Sequence, residues 1–359
     1  MADFNVNHIT GKQGQQGTVL AGVTTVSSTG AMRIPSGSSA YRGNGGRGIF
    51  AGGWEPGSVR NIDFINIAST GNATAWGELI TVGAALAGGA SNNIRGVIVG
   101  GYTGAPSASR ISTMQALTIP TNGEIFDFGD LQFNSQQLSG VGNATRGVYA
   151  MGYAYPNMTP VSSNSVNMHY TMIHIMSSAN RTDFGDIIPG TASRDLATCS
   201  TPIRGYFAGG EGTDQSPANN KKITIKGFAN DSESLNFGEL STLSNRGACL
   251  GSATRGVFVI GNTIPAFTNT LEYITLTTSG ETTDFGDATS VTGDINNNAA
   301  SNMIRGVYHN PRDTDGGAEK NILEYITIAT TGNATDFGDL NYVSRDGCGF
   351  SDSHGGLSH

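Results

Sequence analysis

The chain has 359 residues, of which 52 are glycine and 13% are charged, and its net charge is −8. Only five residues are lysine and no basic cluster stands out, so the electrostatic footprint of a nucleic-acid binder is missing. No apolar run reaches membrane-spanning length, and the opening Met1-Ala2-Asp3-Phe4-Asn5-Val6 lacks the charged-then-apolar layout of a secretory signal.

In chain order, residues 1–46 stand outside the pattern that follows. Thr18–Val26 reads as a strand, and Gly30–Arg42 as a linker. From residue 47 one unit recurs six times. Each copy opens on Arg-Gly, at Arg47, Arg95, Arg146, Arg204, Arg255 and Arg305, with spacings of 48, 51, 58, 51 and 50 residues. An alternating apolar strand follows, usually ending in a glycine pair such as Gly52-Gly53. A loop of variable length comes next. Then a strand of the Tyr-Ile-Thr-Ile type leads through a Gly-Asn turn into a strand ending aromatic-Gly-acid. Those ends are Trp76-Gly77-Glu78, Phe128-Gly129-Asp130, Phe184-Gly185-Asp186, Phe237-Gly238-Glu239, Phe285-Gly286-Asp287 and Phe337-Gly338-Asp339. The central Ile or Leu precedes the aromatic by 11 residues in five copies, and the fourth copy, Lys221–Leu240, reads as breaking this spacing. A small-residue segment, such as Gly247–Ser252, links one copy to the next.

Four strands in about 50 residues, repeated four to eight times, are what propeller blades require. The expected fold is therefore all-β: a six-bladed β-propeller of four-stranded antiparallel blades over residues 41–359, with an N-terminal docking extension over residues 1–40. Small residues suit an inner strand beside a crowded channel, and the aromatic suits the wide outer part of a blade. The first unit has no room for its own small-residue strand, whereas Asp346–Ser351 supplies a spare one after the last. The C-terminal strand is thus expected to complete blade one and close the ring.

The glycine pair, the Tyr-bearing strand and the aromatic after a Gly/Asn turn resemble the kelch repeat. The Arg-Gly-Val-Phe/Tyr openings and the ending Thr330-Thr331-Gly332-Asn333-Ala334-Thr335-Asp336-Phe337-Gly338-Asp339-Leu340 resemble repeats of virion-associated proteins of tailed bacteriophages, notably cyanobacterial ones. Met32-Arg33-Ile34-Pro35-Ser36-Gly37 with Arg42 is similar to a short segment near the start of phage tail and fibre proteins. These resemblances imply a non-enzymatic virion structural protein, a platform on the tail or capsid exterior that supports host attachment. Its partners would be other virion proteins, gripped through the extension, and a host surface glycan or protein. Two alternatives stand beside this reading. One is a glycan-binding adsorption module. The other is a kelch-type sugar oxidase, for which no Tyr, His and Cys ligand set is found. Neither cofactor nor metal is expected.

Several motifs reduce to fold chemistry. Asp-Phe-Gly at residues 127, 183, 284 and 336 spells a kinase magnesium motif, but four copies in register mark a strand end. Gly43–Gly48 matches a dinucleotide fingerprint, yet a strand follows where a helix should. The six arginines and six acids that recur once per copy are read as a salt bridge or backbone contact keying blade to blade, with a charged ring that binds an ion or polyanion as the alternative. Asn72, Asn143, Asn157, Asn180 and Asn333 fit the glycosylation sequon, and most sit at turns. Asp313-Thr314-Asp315-Gly316 opens like a calcium loop but lacks its distal Glu. His169 and His174 share a strand with no Cys or carboxylate cluster beside them, and His174 reads as a surface histidine. Cys199, Cys249 and Cys348 show neither metal-ligand spacing nor a disulfide framework. The binding candidates are aromatics on the loops after the glycine pairs: Trp54, Tyr102, Tyr153, Tyr155 and Phe267.

Overall fold

The computed structural model describes residues 46–80, 84–104, 109–121, 125–155, 169–177, 181–188, 194–211, 220–263, 266–314 and 317–353, together with three short strands before residue 46. Among the described residues there is no helix. The chain forms six small antiparallel sheets arranged as the blades of a propeller.

Blade one joins both ends of the chain. Its strands are Cys348–Ser351, Arg47–Ala51, Asn61–Asn66 and Thr74–Glu78, from channel to rim. Cys348 pairs with Ala51 and Ser351 with Gly48, so the C-terminal strand closes the ring as expected. Blades two to six begin at Gly88–Ser91, Ser139–Gly142, Ala197–Ser200, Ala248–Gly251 and Ala299–Ser301. Each then runs outward through the Arg-Gly strand, the third strand and the outer strand. Three further strands, Thr18–Leu20, Thr24–Val26 and Met32–Arg33, form a separate antiparallel sheet.

The core lies between blades, not within one. Six apolar clusters each join two neighbours. Ile49, Ile62, Trp76, Ile98 and Leu117 fill the first seam, and Phe50, Ile65, Val307, Leu323 and Phe337 fill the seam that closes the circle. The outer-strand aromatics are all buried there. Inner strands approach one another most closely at their glycines. A Cβ on Gly142 would lie 2.3 Å from the Ser91 carbonyl oxygen, and one on Gly349 would lie 2.4 Å from the Ala299 nitrogen.

The fourth copy keeps the repeat spacing after all. Lys226 pairs with Gly205, as Ile65 pairs with Gly48, and Lys226 stands 11 residues before Phe237. A lysine at an apolar position hid the match. Its ammonium donates to the carbonyls of Asn230 and Ser232 and lies 4.4 Å from the Phe184 ring centroid, which offsets its burial.

Two polar devices key blade to blade, the first at all six seams and the second at four. The guanidinium that opens the second strand donates to a carbonyl just past the third strand of the following blade. Arg47 reaches Ile119 O at 2.9 Å, Arg95 reaches Ile175 O at 3.1 Å, Arg255 reaches Ile328 O at 3.1 Å and Arg305 reaches Ile67 O at 3.2 Å. Arg146 makes the same bond to Phe228, and in blade four the Tyr206 hydroxyl serves Leu276 instead. An aromatic of the same blade supports the guanidinium, as Tyr273 does for Arg255 at 4.3 Å. The recurring acids do not meet these arginines. Arg47 pairs across the sheet with Asn66 and Glu78 with Asn61, at opposite ends of the blade. The second device is a buried acceptor in the third strand. Asp63, Gln115, Glu272 and Glu324 accept the backbone N–H of Asn341, Ile80, Ser241 and Thr289, each in the preceding blade.

The turn before each Arg-Gly strand is held by a side chain. Asn92, Asn143 and Asn302 accept the N–H of the arginine three residues on, at 2.8, 2.8 and 2.7 Å. In blade one this turn is broken by the chain ends, yet Asp352 takes the same bond from Arg47 N at 2.8 Å. The closing strand brings its cap with it.

Candidate functional site

The propeller has two unlike faces. The lower face carries the turns before the Arg-Gly strands and the turns between third and outer strands. The upper face carries the loops after the glycine pairs and the links from one blade to the next.

At the centre of the upper face, each link places a residue in the left-handed region two positions before the inner strand, and the link into blade six adds Asp294 and Asn296. The six are Leu86, Gln137, Asp195, Arg246, Asn297 and Asp346, with φ between 52° and 60°. The backbones of the six links form a closed circle, which in the last link passes through Asp294 and Ile295. Gln137 N donates to Leu86 O, Asp195 N to Gln137 O, Arg246 N to Asp195 O, Ile295 N to Arg246 O, Asp346 N to Asp294 O and Leu86 N to Asp346 O, all at 2.7–3.2 Å. Below the circle, Asn297 crosses the axis. Its Oδ1 accepts Thr198 N and Cys249 N at 3.1 and 3.2 Å, and its Nδ2 donates to Thr198 Oγ1 at 2.7 Å. The space left among the inner strands is about 10 Å³, room for a water at most. The channel is plugged.

Around the circle sits a charge hub. Arg246 lies 3.6 Å from Asp195, 3.2 Å from Asp294 and 3.5 Å from Asp346. Arg312 pairs with Asp294 at 2.9 Å, and Arg345 approaches Asp346 at 3.5 Å. Gln137 Nε2 donates to Asp195 at 2.5 Å. Burial pushes Asp195 up to about 6 and Asp346 up to about 7, against the pull of Arg246. Burial also pushes Asp294 upward, but the Asn262 hydrogen bond with Arg246 and Arg312 outweighs it and holds that carboxyl below its usual value.

The loop aromatics do not gather into one site. Trp54 and Tyr102 come together across blades one and two, with ring centroids 5.7 Å apart and planes 34° apart. Trp54 N donates to Arg345 O at 2.8 Å, and Gly104 packs against the indole. Beside the pair, Glu55 hydrogen-bonds Glu319, and that contact holds Glu55 above its usual value. Glu319 in turn meets Arg345 at 3.1 Å. Tyr153 lies elsewhere, its ring under Arg110 at 4.2 Å and Arg194 at 5.3 Å. Phe267 packs on Gly293 of its own blade, where a Cβ would come within 2.4 Å of the ring. Tyr155 pairs through its backbone with Asn134, and its side chain lies outside the described residues.

The remaining candidates resolve into local contacts. His169 meets a single carboxylate, Asp186 at 2.5 Å, because the third and outer strands pair there, and His174 is exposed as expected. Asp313 pairs with Lys320 at 3.1 Å, while Asp315 and Gly316 lie outside the described residues. Asn72 and Asn333 accept the N–H of Asp339 and Asp287 in the preceding blade, both at 3.1 Å, and the preceding glycines take the positive φ. Asn157 and Asn180 lie outside the described residues. Among the described residues no group of three His, Cys, Asp or Glu side chains is placed to hold a metal ion, and no helix is long and apolar enough to cross a membrane.

Sequence reasoning missed the hub. Gln137, Asp195, Arg246 and Asp346 occupy one repeat position, but the residue type there changes from blade to blade, so a search for residues kept in each copy passes over them. Aligning the copies on the inner strand would have stacked these four in one column, though not Asp294, Arg312 or Arg345.

The fold class is therefore a closed six-bladed propeller with a plugged axis and a charged upper mouth. No protein-family model and no curated protein matches this chain.

Proposed function

We propose that this chain is a structural, non-enzymatic protein of a tailed-phage particle, a propeller platform on the tail or capsid exterior that supports host attachment. The observation that carries this reading is the position of the two chain ends. The chain enters the ring at Gly46 and leaves it at Ser353, and both lie on the lower face beside the turn capped by Asp352. The loops that vary from blade to blade all lie on the opposite face. A body held from below through its N-terminal extension turns those loops outward. The repeat wording, Arg255-Gly256-Val257-Phe258 and Thr335-Asp336-Phe337-Gly338-Asp339, supports the phage context. The plugged channel and the internally matched hub suit a rigid support, and many copies on one particle would multiply weak loop contacts. Its partners are other virion proteins and the host surface, without nucleic acid or a cofactor. Mass spectrometry and cryo-electron microscopy of purified particles test this. The expected result is propeller density on the exterior with its lower face inward; particles without the chain would overturn it.

A second reading, adsorption to a host glycan, has one observation in its favour: Trp54 and Tyr102 meet beside the Glu55–Glu319 pair and Arg345. Aromatic faces next to carboxylates suit a sugar ring and its hydroxyls. A glycan screen of the purified chain should then give a ligand whose binding falls at least about tenfold in Trp54→Ala, the loss of about 1.4 kcal/mol that one stacking contact supplies. No ligand across the screen would end this reading.

A further inference from the structure

We infer that Cys199 and Cys249 join in a disulfide across the seam between blades four and five under oxidising conditions, a covalent staple beside the axis. The three thiols are free and buried. Their spacing in sequence shows no disulfide framework, but the propeller brings two of them together. Cys199 pairs with Tyr206 and Phe350 with Ile49, the residue just after Arg-Gly in each blade. Cys249 pairs with Phe258 and Gly89 with Ile98, one residue further on. Phe350 of blade one lies against Gly89 of blade two. The first of these positions therefore faces the following blade, and the second faces the preceding one. By the same register Cys199 faces blade five and Cys249 faces blade four.

The contacts agree. A Cβ on Gly256 would lie 3.1 Å from the Cys199 Sγ and 3.3 Å from the Cys249 Sγ, so both sulfurs crowd one glycine of blade five. Both side chains belong to the same apolar seam. Asn297 fixes the approach of the two strands, since its Oδ1 accepts Thr198 N and Cys249 N at 3.1 and 3.2 Å. A disulfide tolerates only a narrow range of backbone separation, and strands strapped in this way suit it. This is also the seam where a tyrosine hydroxyl replaces the guanidinium of the first polar device. The bond would enclose residues 199–249 in one covalent loop. Blade four could not then peel away from blade five.

A peroxide suffices as oxidant. One sulfur attacks a peroxide oxygen, the O–O bond breaks, and the thiol proton leaves with the departing hydroxide as water. The second sulfur attacks the resulting sulfenic sulfur, the S–O bond breaks, and the second thiol proton leaves with that hydroxide as water. Two thiols are oxidised and one peroxide is reduced to two waters. Burial and the neighbouring Cys199 thiol hold the Cys249 thiol well above its usual range, so the first attack is slow. The axial space of about 10 Å³ borders Cys249, and a small oxidant needs only local opening of the plug to arrive. Cys348 lies in the first seam, apart from both. The staple rests on the ring alone and not on the particle reading.

Thiol mapping of the full chain tests this. The reduced protein is held in dilute hydrogen peroxide, unfolded, alkylated and digested without reductant. Mass spectrometry should find one linked peptide pair, Cys199 to Cys249, and an alkylated Cys348. The urea midpoint should rise by at least about 0.5 M on oxidation and return with dithiothreitol. Cys348→Ser should keep both effects, and Cys199→Ala and Cys249→Ala should each lose both. The shift is read between oxidised and reduced forms of one variant, so any stability lost to the substitution itself drops out. Refolding the unfolded chain in a glutathione redox buffer lets the thiols pair before the seam closes, and a link formed by either route supports the staple. Free Cys199 and Cys249 after both treatments overturn the inference. So does sulfinic acid on either cysteine without a link, a link that engages Cys348, or a linked chain whose urea midpoint has not risen.

Discussion

Asp346 sits just before the strand that closes the ring, 3.5 Å from both Arg246 and Arg345. Burial raises it to about 7 in the folded chain, from an unfolded value of 3.8. Between those two values the folded state holds a proton that the unfolded state has released. Stability therefore falls as pH rises from about 4 to 7, by about 1.4 kcal/mol per pH unit for a group fully in its window. Asp195, raised to about 6, adds to this trend over the lower part of the range. His309 opposes it. Burial lowers its imidazole to about 4, so its contribution is complete above 6.5 and is lost as pH falls toward 4. The groups separate by difference. Asp346→Asn keeps the shape and removes the titration, so its urea midpoint relative to wild type should improve steadily from pH 4.5 to 7.5. A constant offset would mean that the Asp346 carboxyl titrates near its ordinary value.

Within the blade, the aromatic-Gly-acid ending shows how much one strand end specifies. The aromatic fills a seam, and the glycine admits the next blade. Gly338 has φ 141°, and a Cβ there would lie 2.5 Å from the Gly71 carbonyl oxygen, which belongs to the neighbouring turn. Gly71 itself has φ 148° but nothing within 4 Å of its Cβ position. Gly338→Ala should therefore cost about 3 kcal/mol, from backbone strain plus a clash with rigid backbone, and Gly71→Ala only about 1 kcal/mol. Equal losses in urea denaturation would show that the turn can retreat. The Arg device invites a similar test. Arg255→Ala strips donors from the Ile328 and Ala329 carbonyls, at 3.1 and 2.9 Å, and should cost about 1–2 kcal/mol. At this scale the sequence was largely legible, since every blade carries an aromatic and a glycine at the strand end and five of the six use the arginine bond. The carbonyl partner of the arginine was not, because a backbone acceptor leaves no mark on residue choice. Nor were the buried acceptors of the third strand. Asp63, Gln115, Glu272 and Glu324 differ in type while serving one purpose, and only their register shows it. The hub was hidden for the same reason.

For the whole ring, closure rests on the pairing of Cys348–Ser351 with Arg47–Ala51. The same strand carries Phe350, whose ring lies against Gly89 and Gly96 of blade two, and Cys348, which joins the first seam. Without it, Arg47–Ala51 would face the channel as an open edge and the first seam would lose two of its buried members. The complementary shortage in the first unit and surplus after the last made this legible from sequence, and Asp352 extends the logic to a single hydrogen bond. Two changes separate the strand from its cap. Asp352→Ala removes the bond to Arg47 N and should cost about 1 kcal/mol while leaving a single cooperative transition. Ending the chain at Asp346 removes the strand itself. That chain should lose cooperative unfolding and either aggregate through its exposed edge or melt blade one independently, as far-ultraviolet circular dichroism and light scattering would report. If it instead melts as sharply as the full chain, five complete blades and a three-stranded sixth hold the ring through the backbone circle at the upper mouth. The Leu86 N to Asp346 O bond, present in both chains, would then be the contact that closes the propeller.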